Sequence, residues 1–179
     1  MNKTTAICWY PLRVTYSREL FLKEVLDAEH IENFIPMHYE YVKHGEGKVR
    51  KLVPVVHNLV FVHSSLECID RIKQSAGLSL AMRYIIDRET RSPLVVPDSQ
   101  MCSFIAVCGT YEEQVVYLDP IVTSLQKGDP VRITGGIFGG VEGIVIRVKG
   151  DRRVAVCIRG VMAVATTYVH PSLIEKIED

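Results

Sequence analysis

The sequence predicts an α+β protein in two parts, a mixed α/β sandwich followed by a small β-barrel of five short strands. Three observations carry this expectation. Within residues 1–109, segments with helical apolar spacing alternate with runs of β-branched and aromatic residues. The pattern fades between 110 and 126. From 127 onward glycine is frequent, helix formers are scarce and the candidate strands are short.

Taken in order, residues 6–14, with Trp9 and Tyr10, suit a strand. Ser17 stands where it can cap a helix to about residue 30, with Glu19 near the positive end of the helix dipole. Phe21, Leu22, Val25, Leu26 and Ala28 give that helix a single apolar side. A strand over 31–42 leads into residues 43–51, where four basic residues and one acidic one surround two glycines, the composition of an exposed hairpin tip. Residues 53–62 are strongly β-forming, and Ser64 and Glu67 have capping-box spacing for a helix through about residue 75. A strand is expected over 80–88. Pro97-Asp98 then opens a helix with Met101, Phe104, Ile105 and Cys108 at i, i+3, i+4 and i+7. Five strand candidates follow at 131–134, 144–148, 154–158, 162–168 and 173–177, with hairpin turns at Lys149-Gly150-Asp151 and Arg159-Gly160. The expected division is therefore a domain at 1–109, a linker at 110–126 and a barrel at 127–179.

Composition narrows the function. The 179 residues hold 21 Lys plus Arg against 21 Asp plus Glu, so global charge does not grip nucleic acid. A nucleic-acid contact is expected to be local, or arranged through a protein partner. No signal peptide and no apolar run of membrane-spanning length is read, so a cytoplasmic, membrane-free monomer is expected. The five cysteines are widely spread among apolar neighbours with no Cys-x-x-Cys pair, which predicts buried reduced thiols. No histidine pairs with a cysteine at ligand spacing, so neither metal nor cofactor is expected. Asp98 with His63, or Cys8 with any histidine, makes no recognisable nucleophile, base and orienting group. An enzyme is not expected.

The densest pattern lies in residues 127–145, from Lys127-Gly128-Asp129 to Glu142-Gly143-Ile144-Val145. Gly135-Gly136 and Gly139-Gly140 flank Phe138, which suits a sharp bend presenting a ring at a loop tip. A phosphate-cradling loop is a poor rival, because no helix start and no Gly-Lys-Ser/Thr follows. The stretch resembles the KOW motif of NusG-type elongation factors and certain ribosomal proteins. Trp9-Tyr10, then Ser17 and Glu19 opening the first helix, then Leu59-Val60-Phe61-Val62, resemble the NusG N-terminal (NGN) domain. His57-Asn58-Leu59 stand where housekeeping NusG has a Pro-Gly-aromatic turn. That departure is similar to specialised paralogues of the RfaH type and of the UpxY type from capsular polysaccharide operons.

The resemblance implies an NGN domain followed by an SH3-like KOW barrel, and an elongation or antitermination factor rather than a catalyst. It implies that Trp9, Tyr10, Val56, Phe61 and Tyr84 dock on the clamp helices of the largest RNA polymerase subunit. By the same resemblance Arg13, Tyr16, Arg18, Ser64 and Ser65 touch the non-template DNA strand, and Phe138 reaches a second partner such as ribosomal protein S10 or Rho. The abundant glycine and β-branched residues disfavour a helical form of the second domain. An RNA-binding or ribosome-associated KOW protein is the alternative, kept open by Lys127, Arg132, Arg147, Lys149, Arg152, Arg153 and Arg159.

Overall fold

In a computed structural model, residues 5–45, 47–76, 81–118 and 128–177 are described. Among them twelve strands and three α-helices form two compact units, Met1–Pro36 with Val56–Asp98, and Met37–Val55 with Ser99–Asp179. These units cut the chain differently from the expected 1–109, 110–126 and 127–179: the hairpin and nearly all of the third helix group with the second unit.

The first unit is built on an antiparallel sheet in the order β2-β5-β1-β6. Its strands are β1 (Cys8–Val14), β2 (Asn33–Phe34), β5 (Leu59–Ser64) and β6 (Met82–Tyr84). β1 and β5 form the centre, paired from Cys8 opposite Ser64 to Arg13 opposite Leu59. Leu12, Leu59, Val60, Phe61 and Val62 are all buried, as expected of strands covered on both sides. The strand expected over 80–88 shrinks to β6, and residue 80 lies outside the described residues.

Two helices complete this unit. Helix α1 (Glu19–Ala28) buries Leu22 and Leu26, one turn apart, but leaves Leu20 and Phe21 exposed. Of the expected apolar side Phe21 and Ala28 are exposed, so the buried stripe is narrower than expected; Leu20-Phe21-Leu22 is more apolar surface than one helix stripe can bury. Ser17 is not the cap. Arg18 holds that position without a side-chain cap bond, while Ser17 stands at φ +51 and donates its N–H to Asn58 Oδ1 at 2.8 Å. Helix α2 (Leu66–Ala76) is capped by Ser65, whose Oγ accepts the Cys68 N–H at 3.2 Å, so the cap falls one residue after the expected Ser64.

The second unit contains a two-stranded ribbon, β3 (Met37–His44) with β4 (Gly47–Pro54), paired up to His44 opposite Gly47. The exposed hairpin tip expected over 43–51 is present: its described residues are exposed, with strand pairing running to His44 opposite Gly47. A six-stranded antiparallel sheet runs in the order β12-β8-β9-β10-β11-β7. It comprises β7 (Val116–Leu118), β8 (Pro130–Ile133), β9 (Glu142–Val148), β10 (Asp151–Ile158), β11 (Met162–Ala165) and β12 (Ile174–Lys176). All five strands expected after residue 130 are present. The sixth, β7, falls inside the expected linker and pairs Val116 with Ala165, while residues 119–127 lie outside the described residues. At the β9–β10 turn Lys149 and Gly150 both take positive φ, +52 and +92, the geometry that matches strand twist in a two-residue hairpin.

Helix α3 (Asp98–Cys108) buries Met101, Phe104, Val107 and Cys108. Gln100 donates to the Cys157 carbonyl at 2.7 Å, and Ser103 Oγ accepts the Glu142 N–H at 3.1 Å. Of the cysteines, Cys108 is buried and Cys102 is exposed, which corrects the expectation that all are buried. Burial pushes the Cys108 thiol well above its ordinary 9.0, and burial, then the neighbouring Cys108, pushes the Tyr117 phenol above 10.0. Both protons are held more tightly in the folded chain, so stability is complete below the unfolded thiol's value and falls as pH rises past it. Thermal unfolding between about pH 8 and about pH 11 should show a falling midpoint, and Tyr117→Phe should flatten part of the fall.

Candidate functional site

The ends of β1 and β6 and the approach to α1 form the most unusual local structure of the first unit. Val14 donates to the Asn58 carbonyl at 3.0 Å, and Thr15 to the Ala81 carbonyl at 3.1 Å, so the chain leaving β1 is tied on both sides. Tyr16 and Ser17 then take consecutive positive φ values, +59 and +51, and Asn58 takes +66. Such backbone costs energy in non-glycine residues and persists only where surroundings enforce it. Here the enforcing group is Glu19, which is buried. Its Oε2 accepts the Asn58 N–H at 3.3 Å and its Oε1 lies 3.3 Å from His57 Nδ1. Asn58 in turn holds Ser17 through the side-chain bond already described.

The outcome is a fixed loop with Tyr16 85% exposed at its tip. Arg13, also exposed, stands directly opposite Arg83 on β6. Like charges in cross-strand register repel, and among the described residues neither arginine has an ion-pair partner. Leu20 and Phe21 lie exposed in the first turn of α1. The site thus offers two unpaired guanidinium groups and the exposed aromatic ring of Tyr16. Removing the support should show: Glu19→Ala leaves the Asn58 N–H without its acceptor and should cost about 1–3 kcal/mol. Amide exchange at Ser17 should accelerate in that variant, because the loop loses its anchor.

The structure divides the remaining expected residues. Arg13, Tyr16 and Arg18 are neighbours along the chain at this end. Ser64 and Ser65 sit at the other end of β5, about 17 Å away by five residues of strand rise, so the expected DNA set is not one cluster. Ser64 is buried and Ser65 is committed to capping α2.

The polymerase set is split as well. Register places Trp9 and Phe61 on one face of the sheet and Tyr10 and Tyr84 on the other. Trp9 stacks on His63 with ring centroids 4.8 Å apart, and both Trp9 and Phe61 are buried. Tyr10 is buried too and meets Tyr84 edge to face at 6.2 Å. These three rings are core groups here, which corrects the expectation that they form an open docking face. Tyr84 is half-buried: its hydroxyl donates to Asp70 at 2.9 Å and Lys73 lies 4.6 Å over its ring. Burial, then Asp70, raises its phenol well above the ordinary range. Val56 is half-buried in the loop before β5.

In the second unit Phe138 is buried, so it does not stand out at the loop tip. Its neighbour Ile137 is the exposed apolar side chain, at 67%. Sequence reasoning missed Arg83, Leu20, Phe21 and Ile137. Arg83 had no signal without strand register, whereas the run Leu20-Phe21-Leu22 was visibly too apolar for one helix face. Among the described residues no three His, Cys, Asp or Glu side chains gather as a metal site, and no helix is long and apolar enough to cross a membrane.

The family profile described as transcription termination factor nusG matches residues 7–105, and the chain belongs to the NusG family of transcription factors. Among solved structures the chain is similar to one titled "Domain interaction in Thermotoga maritima NusG", at 20% identity and a TM-score of 0.45, covering 97% of this chain and 98% of that one. No curated protein sequence matches the chain.

Proposed function

We propose that this chain is an elongation and antitermination factor that binds RNA polymerase at the clamp, suppresses pausing or termination, and links the polymerase to a second partner. The observation that carries the reading is the family match over residues 7–105, which contains the cross-strand pair Arg13 and Arg83 and the exposed Tyr16. On this reading the NGN part holds the polymerase, the KOW part from residue 127 is an SH3-like barrel, and the factor acts in the cytoplasm. Val56 and Tyr84 remain the accessible members of the clamp-facing set, with Leu20 and Phe21 as additional apolar contacts. Arg13, Tyr16 and Arg83 take the non-template strand.

A specialised, operon-specific role of the UpxY or RfaH type is supported by His57-Asn58-Leu59. Asn58 occupies positive φ, which asparagine tolerates, and adds the side-chain acceptor for Ser17 that glycine lacks. The test is capture of tagged full chain from native lysate, followed by crosslinking to a transcription complex with photoreactive non-template DNA. Polymerase subunits should co-elute, and Arg13→Glu with Arg83→Glu should abolish the DNA crosslink while leaving polymerase capture intact. Ribosomal proteins without polymerase would overturn the reading in favour of an RNA-binding or ribosome-associated role.

A further inference from the structure

The second unit carries a groove of about 410 Å3 that the reading above does not use. Val131, Val145 and Ile174 give it an aliphatic lining, and Arg147, Arg152, Lys176 and Asp129 a charged one. Arg147 on β9 stands directly opposite Arg152 on β10. In that register their Cβ atoms are about 4.5–5.5 Å apart, and the like charges repel. The other cations on the strands around the groove are neutralised. Arg132 pairs with Glu142 at 2.6 Å, Arg153 with Asp151 at 3.9 Å, and Lys176 with Asp129 at 3.3 Å. Arg147 and Arg152 alone on these strands have no ion-pair partner among the described residues.

We propose that this groove binds an acidic segment of a partner protein. A carboxylate lies across the two guanidinium groups, whose planar donor forks match carboxylate geometry, and a neighbouring aliphatic side chain rests on Val131, Val145 and Ile174. Two features favour a peptide over nucleic acid. Among the described residues no aromatic ring lines the groove, so bases have nothing to stack on there. Val131, Val145 and Ile174 offer aliphatic surface, which a phosphate backbone cannot use. The proposal names the chemistry of the second partner and rests on the reading above only for that partner's role.

The test uses the full chain without polymerase, so its failure leaves the polymerase reading standing. A fluorescein-labelled dodecapeptide of alternating Glu and Leu is titrated by anisotropy against wild type and Arg147→Gln/Arg152→Gln. An unlabelled oligo-dT strand of the same length and inorganic phosphate serve as competitors. The expected result is saturable peptide binding, weakened at least tenfold in the double variant and displaced by neither competitor. The double variant should melt no lower than wild type, since it removes a repulsion. Peptide binding unchanged by the substitutions, absent altogether, or displaced by oligo-dT or phosphate overturns the proposal, as does a lowered melting temperature, which would make the arginines structural.

Discussion

Phe61→Ala should destabilise the first unit by about 3–5 kcal/mol, the usual cost of emptying a large buried aromatic site. Phe61 is completely buried in β5, opposite Pro11 on β1 and Phe34 on β2. Its ring therefore packs over the central strands on a covered face of the sheet, where little can collapse into the vacated space without moving backbone. Chemical denaturation followed by circular dichroism checks this, and an unchanged midpoint would show the ring to be a surface group after all. The same result decides how interface mutants should be read. Loss of polymerase binding in Phe61→Ala would report unfolding, so Tyr16, Arg13 and Arg83 are the informative positions.

The second large effect is expected at Gly143. This residue sits in β9 beside β10, and a Cβ placed on it would press into the Ala155 carbonyl group and lie 2.9 Å from Val154 Cγ1. The obstacle is strand backbone rather than the end of a flexible side chain. Gly143→Ala must push β9 and β10 apart, and overpacking of this kind costs about 1–3 kcal/mol or more. Hydrogen exchange should accelerate across the β9–β10 pairs, with β1 and β5 unaffected. Gly150→Ala, where a Cβ meets open space, separates steric from conformational causes: its cost comes only from φ +92.

Much of the fold was legible because period and punctuation agree. α3 with its i, i+3, i+4, i+7 pattern and the glycine-marked hairpins of the second unit appear where composition places them, whereas the run expected over 53–62 is divided between the end of β4 and β5 by a turn at Asn58. The misses share a physical cause, since each depends on a neighbour distant in sequence. β7 reads as linker because three residues show no period, and its strand state comes from pairing with β11. Ser17 is a good cap by type, but Asn58, 41 residues away, claims its N–H. Exposure of aromatic residues was the least legible property. Trp9, Tyr10 and Phe61 lie in strands, where sequence gives alternation but not which face, or whether both, will be covered. Phe138 and Ile137 invert the expectation for the same reason: glycines permit the bend, but they do not say which of two adjacent side chains turns inward.

We propose that this NusG-family chain acts on RNA polymerase through its first unit, with Arg13, Tyr16 and Arg83 against the exposed DNA strand. Single-round elongation by purified core polymerase on a template with a defined pause, with and without the full chain, tests this most directly. Pause lifetime should shorten in a chain-dependent manner, and Tyr16→Ala with Arg83→Glu should remove most of the effect without lowering the chain's melting temperature. Pause lifetimes that stay the same at saturating chain, or shorten equally with the double variant, would contradict it.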